Sequence, residues 1–318
     1  MPMVAGYHFM AELVGTFVPF ERGEGAVVSV HSNAVNIRSP GGLLLSIVER
    51  PTQMTSLSLC APALFQTLRR QRPSILPGEL VKLRRGSLLL DRLCLDVKTG
   101  KAWKGAIHAK LLRGFPLDSL SAIKEALLEV GRKEGLLGLI AAQRDLNPFA
   151  LFASDRLKGI PPSENPPPKA VGRVEGSIPF EGRSKPRFKG LSSLIGLGPG
   201  FTPSGDDFIM GVLAGETISR TLGRNFLEID RRDLRTSLHK TNDAGRTLLW
   251  QALQGHFPCY LMEAVEGLVK ARGFHAIGKV MSCAVAHGET SGTDALAGLV
   301  WYLERFKPSC TLPVQIPG

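Results

Sequence analysis

The stretch GLGPGFTPSGDDFIMG, residues 196–211, places four glycines, two prolines and two adjacent aspartates directly before an apolar run. Glycines accept positive φ and leave backbone N–H groups uncovered, and consecutive N–H groups in such a turn form a concave site for an anion. Ser204, with Asp207 three residues on and an apolar face after it, indicates the N-cap and first turn of a helix. Because helix N-termini attract anions, the stretch predicts a turn and helix that bind a ligand.

A structural explanation of the same residues needs no ligand. Ser204 and Asp207 resemble a capping box, and acidic residues in a first turn complement the helix dipole. A cap alone, however, does not require the Gly-x-Gly-Pro-Gly sequence that precedes it. We therefore favour a functional role for the motif as a whole.

A second copy of the pattern supports that role. SGDDFIMG at 204–211 and SGTDALAG at 291–298 both have the form Ser-Gly-x-Asp-x-x-x-Gly, and they lie 87 positions apart. The sequence predicts two helix N-termini that point at one ligand. Gly211 and Gly298, well inside their helices, would let those helices pack closely, since a helical glycine is otherwise unfavourable.

The acids of the two motifs limit the choice of ligand. Asp206, Asp207, Glu289 and Asp294 would repel a bare phosphate, by roughly 4 kcal/mol for two like charges 4 Å apart at an effective dielectric constant of about 20. One solution is a Mg²⁺ ion held by Asp206 and Asp207, which would bridge carboxylates and phosphate. The other is a mixed ligand, with an anionic end on the glycine turn and N–H donors toward the aspartates, as in an amide, ureido or carbamoyl compound.

Two further polar residues are candidates outside the aspartates. His287 precedes the second motif and is a candidate proton carrier, although a single histidine is commonly structural. Asn36 lies in a β stretch with His31 and Asn33 and is a candidate for substrate binding.

Other catalytic signatures are absent from the sequence. It contains no His-x-x-x-His, no Gly-x-Ser-x-Gly and no Walker loop. GLGPG lacks the spacing of a dinucleotide-binding fingerprint. The five cysteines have neither metal-ligand nor redox spacing, which predicts reduced, mostly buried thiols: Cys60, Cys94, Cys259, Cys283 and Cys310.

Composition indicates a globular protein of one or two domains. The chain has 318 residues, of which 43% are hydrophobic and 21% charged. Without a membrane-length apolar run or an export signal, we expect a cytoplasmic protein and no membrane partner. The net charge of +11 raises nucleic-acid binding as an alternative, but the basic clusters are not interleaved with aromatic residues, so we do not favour it.

The order of patterns predicts an α+β fold. Residues 1–115 show short apolar strands broken by turn signals, typical of a small β barrel or sandwich, with a hairpin loop at 98–101. Residues 116–318 are predicted to form a mainly α-helical domain, interrupted by a mobile loop rich in Pro, Lys and Arg at 157–190. The expected helices after this loop cover roughly 205–221, 231–254, 257–271, 273–285 and 291–306.

Several stretches together resemble one bacterial family, which includes AllH, a subunit of oxamate carbamoyltransferase. The first motif is similar to the family signature, and GETSGTDALAG at 288–298 resembles its second block. SNAVNI with GGLLLSIVE (32–49) and TNDAGRTLLWQALQGHF (241–257) are similar to two further regions. The chain departs from the family pattern at Ala244, where serine is expected, and in its long insert at 157–190.

The resemblance implies a role in purine-derived nitrogen catabolism. The implied reaction is phosphorolysis of oxalurate to oxamate and carbamoyl phosphate, carried out together with two other subunits. The resemblance assigns site roles to Gly198, Gly200, Thr202, Ser204, Gly205, Asp206, Asp207, Ser291, Gly292 and Asp294. Two hypotheses follow: the chain is a transferase subunit that binds a carbamoyl or ureido substrate, or phosphate; or it is a non-catalytic assembly subunit of the same enzyme.

Overall fold

The computed structural model describes residues 6–18, 22–71, 75–141, 146–158, 187–188, 190–224 and 226–305. The predicted loop at 157–190 lies almost entirely outside these residues, as do Phe306 and Cys310. Among the described residues, no helix combines the length and the apolar character needed to span a bilayer.

The first part of the chain forms one ten-stranded mixed sheet. Its strands are β1 Tyr7–Met10, β2 Leu13–Gly15, β3 Gly23–Val30, β4 Ala34–Arg38, β5 Leu44–Val48, β6 Ser58–Cys60, β7 Leu80–Arg84, β8 Ser87–Leu90, β9 Leu93–Asp96 and β10 Lys101–Trp103. Their spatial order is β1-β9-β8-β7-β3-β4-β5-β6-β2-β10, and the sheet curls into half a barrel. Buried and accessible residues alternate along β7, β8 and β9, as expected of strands with one face toward a core.

The predicted hairpin at 98–101 is wrong. β9 pairs with β8 and β1, whereas β10 pairs in parallel with β2. The N–H of Lys101 donates to the carbonyl of Glu12 (2.9 Å), which draws the chain away from β9. Gly100 lies where a side chain would collide with Val14, so its glycine serves packing against β2 and not a hairpin turn.

The helices follow the sheet, with one exception. α1 Pro62–Gln71 lies between β6 and β7 and was not predicted. The others are α2 Leu120–Val130, α3 Pro148–Leu157, α4 Ser204–Thr221, α5 Arg231–Ser237, α6 Asp243–Leu253, α7 Cys259–Lys270, α8 Phe274–Val285 and α9 Ser291–Arg305. A short parallel pair, β11 Arg187–Phe188 and β12 Glu228–Ile229, lies among them.

The single helix predicted for 231–254 is also wrong, because the chain breaks it into α5 and α6. Asn242 caps the second helix by accepting a hydrogen bond from the N–H of Gly245 (2.9 Å). Asp230 caps the first by accepting from the N–H groups of Arg232 and Asp233 (3.1 Å each). Two capping residues in this stretch therefore make two helices.

Two large hydrophobic clusters underlie the fold. One contains buried residues between positions 11 and 97, and the other contains buried residues between 107 and 303. This order of a β region followed by a helical region is consistent with the predicted α+β class. The division into domains at 115/116 stays a prediction.

α6 joins the sheet to the helices. The N–H of Leu44 donates to Thr247 Oγ1 (2.9 Å), and that of Leu57 donates to Gln251 Oε1 (3.1 Å). The opposite side of α6 packs on α4. The sheet thus supports α6, and α6 supports the helix that carries the first motif.

The four described cysteines are unpaired, as predicted, but they are not all core residues. Cys60 and Cys259 are buried, and burial raises the pKa of the Cys60 thiol to about 11 and that of Cys259 to about 12. Cys94 is half-buried and Cys283 is exposed.

Candidate functional site

α4 and α9 carry the two motifs, and they touch backbone to backbone. Each begins at the serine of its Ser-Gly-x-Asp sequence. A Cβ atom on Gly211 would overlap the carbonyl oxygen of Ala295, and a Cβ atom on Gly298 would overlap that of Phe208. The two contacts are related by the same shift of 87 positions as the motifs, so the helices meet reciprocally, with the close approach that their glycines predicted.

Equivalent turns precede the two helices. In each, a loop carbonyl accepts the N–H of the motif glycine: Leu197 from Gly205 (2.8 Å) and His287 from Gly292 (3.0 Å). Both carbonyls are followed by a glycine with positive φ, at 100° and 66°: Gly198 and Gly288. The two helices therefore share their entry geometry as well as their sequence.

The first turn keeps the open backbone that the sequence predicted. Gly198 and Gly200 have φ of 100° and 110°, which only glycine adopts without strain. Gly198 is half-exposed and Gly200 is exposed. Their N–H groups find no acceptor among the described residues, so they remain available to a ligand.

The predicted capping box at Ser204 is wrong. Pro203 is the N-cap residue of α4, no side chain caps the helix, and Ser204 is its first residue. The carboxylate of Asp207 accepts a hydrogen bond from Thr202 Oγ1 (2.9 Å). The structural explanation by capping therefore fails, and these side chains face the second motif.

A set of hydroxyl groups links the two helix N-termini. Thr202 Oγ1 lies 3.0 Å from Ser291 Oγ. Ser204 Oγ lies 3.3 Å from Thr290 Oγ1. Residues of the first motif thus meet residues of the second, and the two N-termini form one polar site.

Two aspartates lie beneath these hydroxyls, and both are fully buried. Asp207 is 1% exposed and Asp294 is 0% exposed. One oxygen of Asp294, Oδ1, accepts the N–H of Leu136 (2.6 Å). The other, Oδ2, has no hydrogen-bond partner among the described residues. A buried polar group without a hydrogen-bond partner lowers stability by about 1–3 kcal/mol. A ligand that donates a hydrogen bond to this oxygen would remove that penalty.

Burial raises the pKa of both carboxyl groups. The pKa of Asp207 lies well above its ordinary value because of desolvation and, to a smaller extent, the charge of Asp294; the hydroxyls of Ser291 and Thr202 oppose the shift. The pKa of Asp294 is raised by burial, against the N–H of Leu136 and the nearby hydroxyls. Both carboxyl groups are therefore protonated more readily than those of exposed aspartates.

Asp206 has a different environment from its neighbour Asp207. It accepts the N–H of Gly196 (2.9 Å) and the hydroxyl of Thr241. Gly245 leaves room for its carboxylate, since a Cβ there would overlap Asp206 Oδ2. Burial raises its pKa to about 6. Asp206 thus ties the glycine turn to the start of α6.

The suggested Mg²⁺ pair finds little support in these contacts. Asp206 and Asp207 bond to different partners. Within the described part of the chain, no group of three or more His, Cys, Asp or Glu residues is placed to hold a metal ion. Magnesium binding by Asp206 and Asp207 stays a prediction.

Tyr260 on α7 is the residue that the sequence did not reveal. Its ring stacks on that of His287, with centroids 3.9 Å apart and planes at 15°. Its hydroxyl is buried without a hydrogen-bond partner among the described residues. Its pKa lies well above the ordinary value because of burial and of the charges of Asp207 and Asp294. Tyr260 therefore lies near enough to the two aspartates for their charges to affect its pKa.

His287 lies next to the site, as its place in the sequence predicted. Burial lowers the pKa of its imidazole, which favours the neutral form. Its stacking on Tyr260 fixes the plane of the ring. Its role as a proton carrier stays a prediction.

The candidate residue from the sheet is held elsewhere. Asn36 donates to Ser29 Oγ (3.0 Å) and accepts from Ser46 Oγ (2.7 Å). No hydrogen bond joins it to either motif within the described residues, and its role in substrate binding stays a prediction. The nearby His31 does reach the first turn, where its ring lies edge-on to that of Phe201 with centroids 6.1 Å apart.

Comparison with known proteins gives one result at the level of a family. Neither the curated proteins nor the solved structures contain a significant match. A family model does match, over a range that contains α4 to α8 and most of α9 but none of the ten-stranded sheet. Residues 194–303, with both motifs and the polar site between them, match the family described as oxamate carbamoyltransferase subunit AllH.

Proposed function

We propose that this chain is a carbamoyltransferase subunit that binds a carbamoyl or ureido substrate, or phosphate, where the N-termini of α4 and α9 meet. The observation that carries the proposal is the meeting of two reciprocal helix N-termini around two buried aspartates. The match to the family described as oxamate carbamoyltransferase subunit AllH supports the reaction class.

The anionic part of the ligand belongs on the glycine turn. Gly198 and Gly200 offer free N–H groups, and both helix N-termini carry partial positive charge. Oxalurate has a carboxylate and its co-substrate phosphate is an anion, so each can use this surface. The same N–H groups can stabilise an oxyanion that develops during reaction.

The N–H groups of the ligand belong toward the aspartates. A ureido or carbamoyl nitrogen can donate to Asp207 or Asp294, and the hydroxyls of Thr202, Ser204 and Ser291 can donate or accept. This division resolves the repulsion between carboxylates and anion, because the two ends of the ligand are different. Gly205 and Gly292 let the first turns of α4 and α9 pack closely on the carbonyl oxygens of Leu194 and Ala284.

The reaction transfers a carbamoyl group. A phosphate oxygen attacks the carbamoyl carbon of oxalurate, the bond from that carbon to the oxamate nitrogen breaks, and the nitrogen takes up a proton. The products are carbamoyl phosphate and oxamate. His287, neutral and beside the site, is our candidate for carrying the proton.

Other protein subunits complete the enzyme in this proposal, and the complex is cytoplasmic. The matching family is described as a subunit, which supports protein partners. The unpaired state of the four described cysteines fits a reducing compartment.

Calorimetry on the full chain tests the proposal. Oxalurate, carbamoyl phosphate and phosphate are titrated separately, with and without Mg²⁺, into the wild type, Asp207→Asn and a control, Asp233→Asn. The control removes a first-turn acid of α5 that lies outside the site. We expect binding by the wild type and the control and at least a tenfold loss for Asp207→Asn. Full affinity in Asp207→Asn would contradict the proposal.

One observation favours an assembly role as the second candidate. The aspartates are almost fully buried, as in a structural tie between helices. An assembly subunit would show no heat with any of the three ligands, yet Asp207→Asn would weaken its association with partner subunits in a pull-down.

A further inference from the structure

Two buried polar atoms, one on Tyr260 and one on the second motif's Asp294, have no hydrogen-bond partner among the described residues, and the charge of the aspartate acts on the tyrosine. The two atoms are Tyr260 Oη and Asp294 Oδ2. Native proteins pair nearly all such atoms with protein groups, water or a ligand. One of the two can donate a hydrogen bond and the other is an acceptor when ionised.

A groove between α7 and α8 leads to the tyrosine. Its volume is about 270 Å³, and Tyr260, Glu263, Lys279, Cys283 and Ala284 are among its lining residues. The carbonyl of Ala284 packs directly against Gly292, in the first turn of α9. Two residues that line the groove therefore reach toward the second motif: Tyr260 stacks on His287, and Ala284 packs on the first turn of α9, which carries Asp294.

The stacking of Tyr260 on His287 fixes where its hydroxyl can point. The rings lie nearly parallel at 3.9 Å, and the hydroxyl end is buried where the charges of Asp207 and Asp294 act on it. A donor on the tyrosine and an acceptor on the aspartate complement a group with a carbonyl oxygen next to an N–H. An ammonium ion would use the acceptor but would leave the tyrosine donor unpaired.

We propose that Tyr260 is a substrate-binding residue, with its hydroxyl donating to the carbonyl oxygen of a carbamoyl group whose terminal NH₂ donates to Asp294 Oδ2. This inference rests on the proposed function and extends it by naming the group that enters the buried side of the site. The anionic end of the same molecule remains on the glycine turn.

Three probes separate the contacts made by Tyr260, by Asp294 and by the glycine turn. Oxalurate presents the terminal NH₂, and N-acetyloxamate replaces that NH₂ with a methyl group of similar size. Phosphate serves as a probe of the anionic end alone. Each is titrated by calorimetry into the full-length wild type, Tyr260→Phe, and Glu263→Gln, which changes another residue of the same groove.

Tyr260→Phe keeps the ring and removes only the hydroxyl, so its melting temperature should be unchanged or higher. We expect it to bind oxalurate at least tenfold more weakly than the wild type and to bind phosphate equally well. The wild type should prefer oxalurate over N-acetyloxamate at least tenfold. Glu263→Gln should behave as the wild type.

Four results would overturn the inference. Unchanged oxalurate affinity in Tyr260→Phe would show that the hydroxyl pairs only with water. Equal affinity for oxalurate and N-acetyloxamate, or binding of ammonium chloride as tight as that of oxalurate, would exclude the carbamoyl group as the occupant. If the wild type binds no oxalurate at all, the proposed function fails and this inference fails with it.

Discussion

The two Ser-Gly-x-Asp helices follow one pattern but differ at a single polar position. In the first motif, Asp206 comes directly before the motif aspartate, Asp207. In the second, Thr293 comes directly before Asp294. Asp206 binds the glycine turn and Thr241. Thr293 accepts the N–H of Arg132 (3.1 Å). The position next to the motif aspartate thus anchors a different loop in each copy.

The aspartates themselves also differ in their hydrogen bonding. Asp207 accepts the hydroxyl of Thr202 on its Oδ2, whereas Oδ2 of Asp294 has no hydrogen-bond partner among the described residues. Asp207 is therefore the more completely hydrogen-bonded of the two motif aspartates. Two copies of one local pattern can differ in this way because residues outside the pattern supply their hydrogen-bond partners.

The largest effect should come from the glycines that the copies share. We expect Gly211→Ala and Gly298→Ala each to lower the free energy of unfolding by more than about 3 kcal/mol, since the new Cβ overlaps a backbone carbonyl of the facing helix. Chemical denaturation measures both. The reciprocal geometry predicts similar losses.

Gly278→Ala is the matched control. Gly278 lies inside α8 with nothing near its Cβ direction, so alanine should stabilise by about 0.5–1 kcal/mol. A loss at only one of positions 211 and 298 would show that the helices are not equivalent.

The second prediction concerns pH and the acid present only in the first copy. The pKa of Asp206 is raised from 3.8 to about 6 in the folded protein. Its stabilising contribution is therefore fully present below about pH 4 and is lost as the pH rises through 6, an effect of about 3 kcal/mol.

Melting temperatures between pH 4 and 8 check this prediction. Asp206→Asn should flatten the pH dependence, and Thr293→Val should leave its slope unchanged. An Asp206→Asn curve parallel to that of the wild type would contradict the assignment.

The third prediction addresses the anchor of the second copy. Thr293→Val should cost about 1–2 kcal/mol in chemical denaturation because it leaves the N–H of Arg132 without its acceptor. Thr293→Ser keeps the hydroxyl and should cost less. Equal losses for the two variants would mean that the methyl group, and not the hydroxyl, matters.

The smallest effect should come from Ser204 and Ser291, because the hydroxyl of each acts on the aspartate of the other motif. The hydroxyl of Ser291 favours the charged form of Asp207, and that of Ser204 favours the charged form of Asp294. Ser291→Ala should therefore raise the pKa of Asp207, and Ser204→Ala that of Asp294, as measured by carboxyl ¹³C NMR titration. A shift in the aspartate of the same motif would contradict the crossed arrangement.

The helical half of the site was predictable because its signals are local. Glycine, serine and aspartate at fixed spacing identified α4 and α9 and their close packing. The exact role of Ser204 was not predictable from the sequence. A serine at this position can cap its own helix or, as here, can contact the hydroxyl of Thr290 at the other helix.

The wrong hairpin and the missed tyrosine both involve long-range contacts. The pairing of β10 with β2 joins residues nearly ninety positions apart, and no turn signal reports it. The break between α5 and α6 had a usable signal, the capping residue Asn242. Tyr260 had none, because only the packing of α7 against the turn before α9 brings it to the aspartates.

The reciprocal seating of Gly211 and Gly298 restricts how the molecule can open. Each helix backbone keeps the other from sliding along it, because both contacts would have to break at once. In the proposed function, a ligand would therefore enter through movement of the glycine turn or of the stacked rings of Tyr260 and His287, while α4 and α9 stay fixed. Turnover in such a protein would be limited by those peripheral movements, and the distance between the two helix tips would be the same before and after a ligand enters.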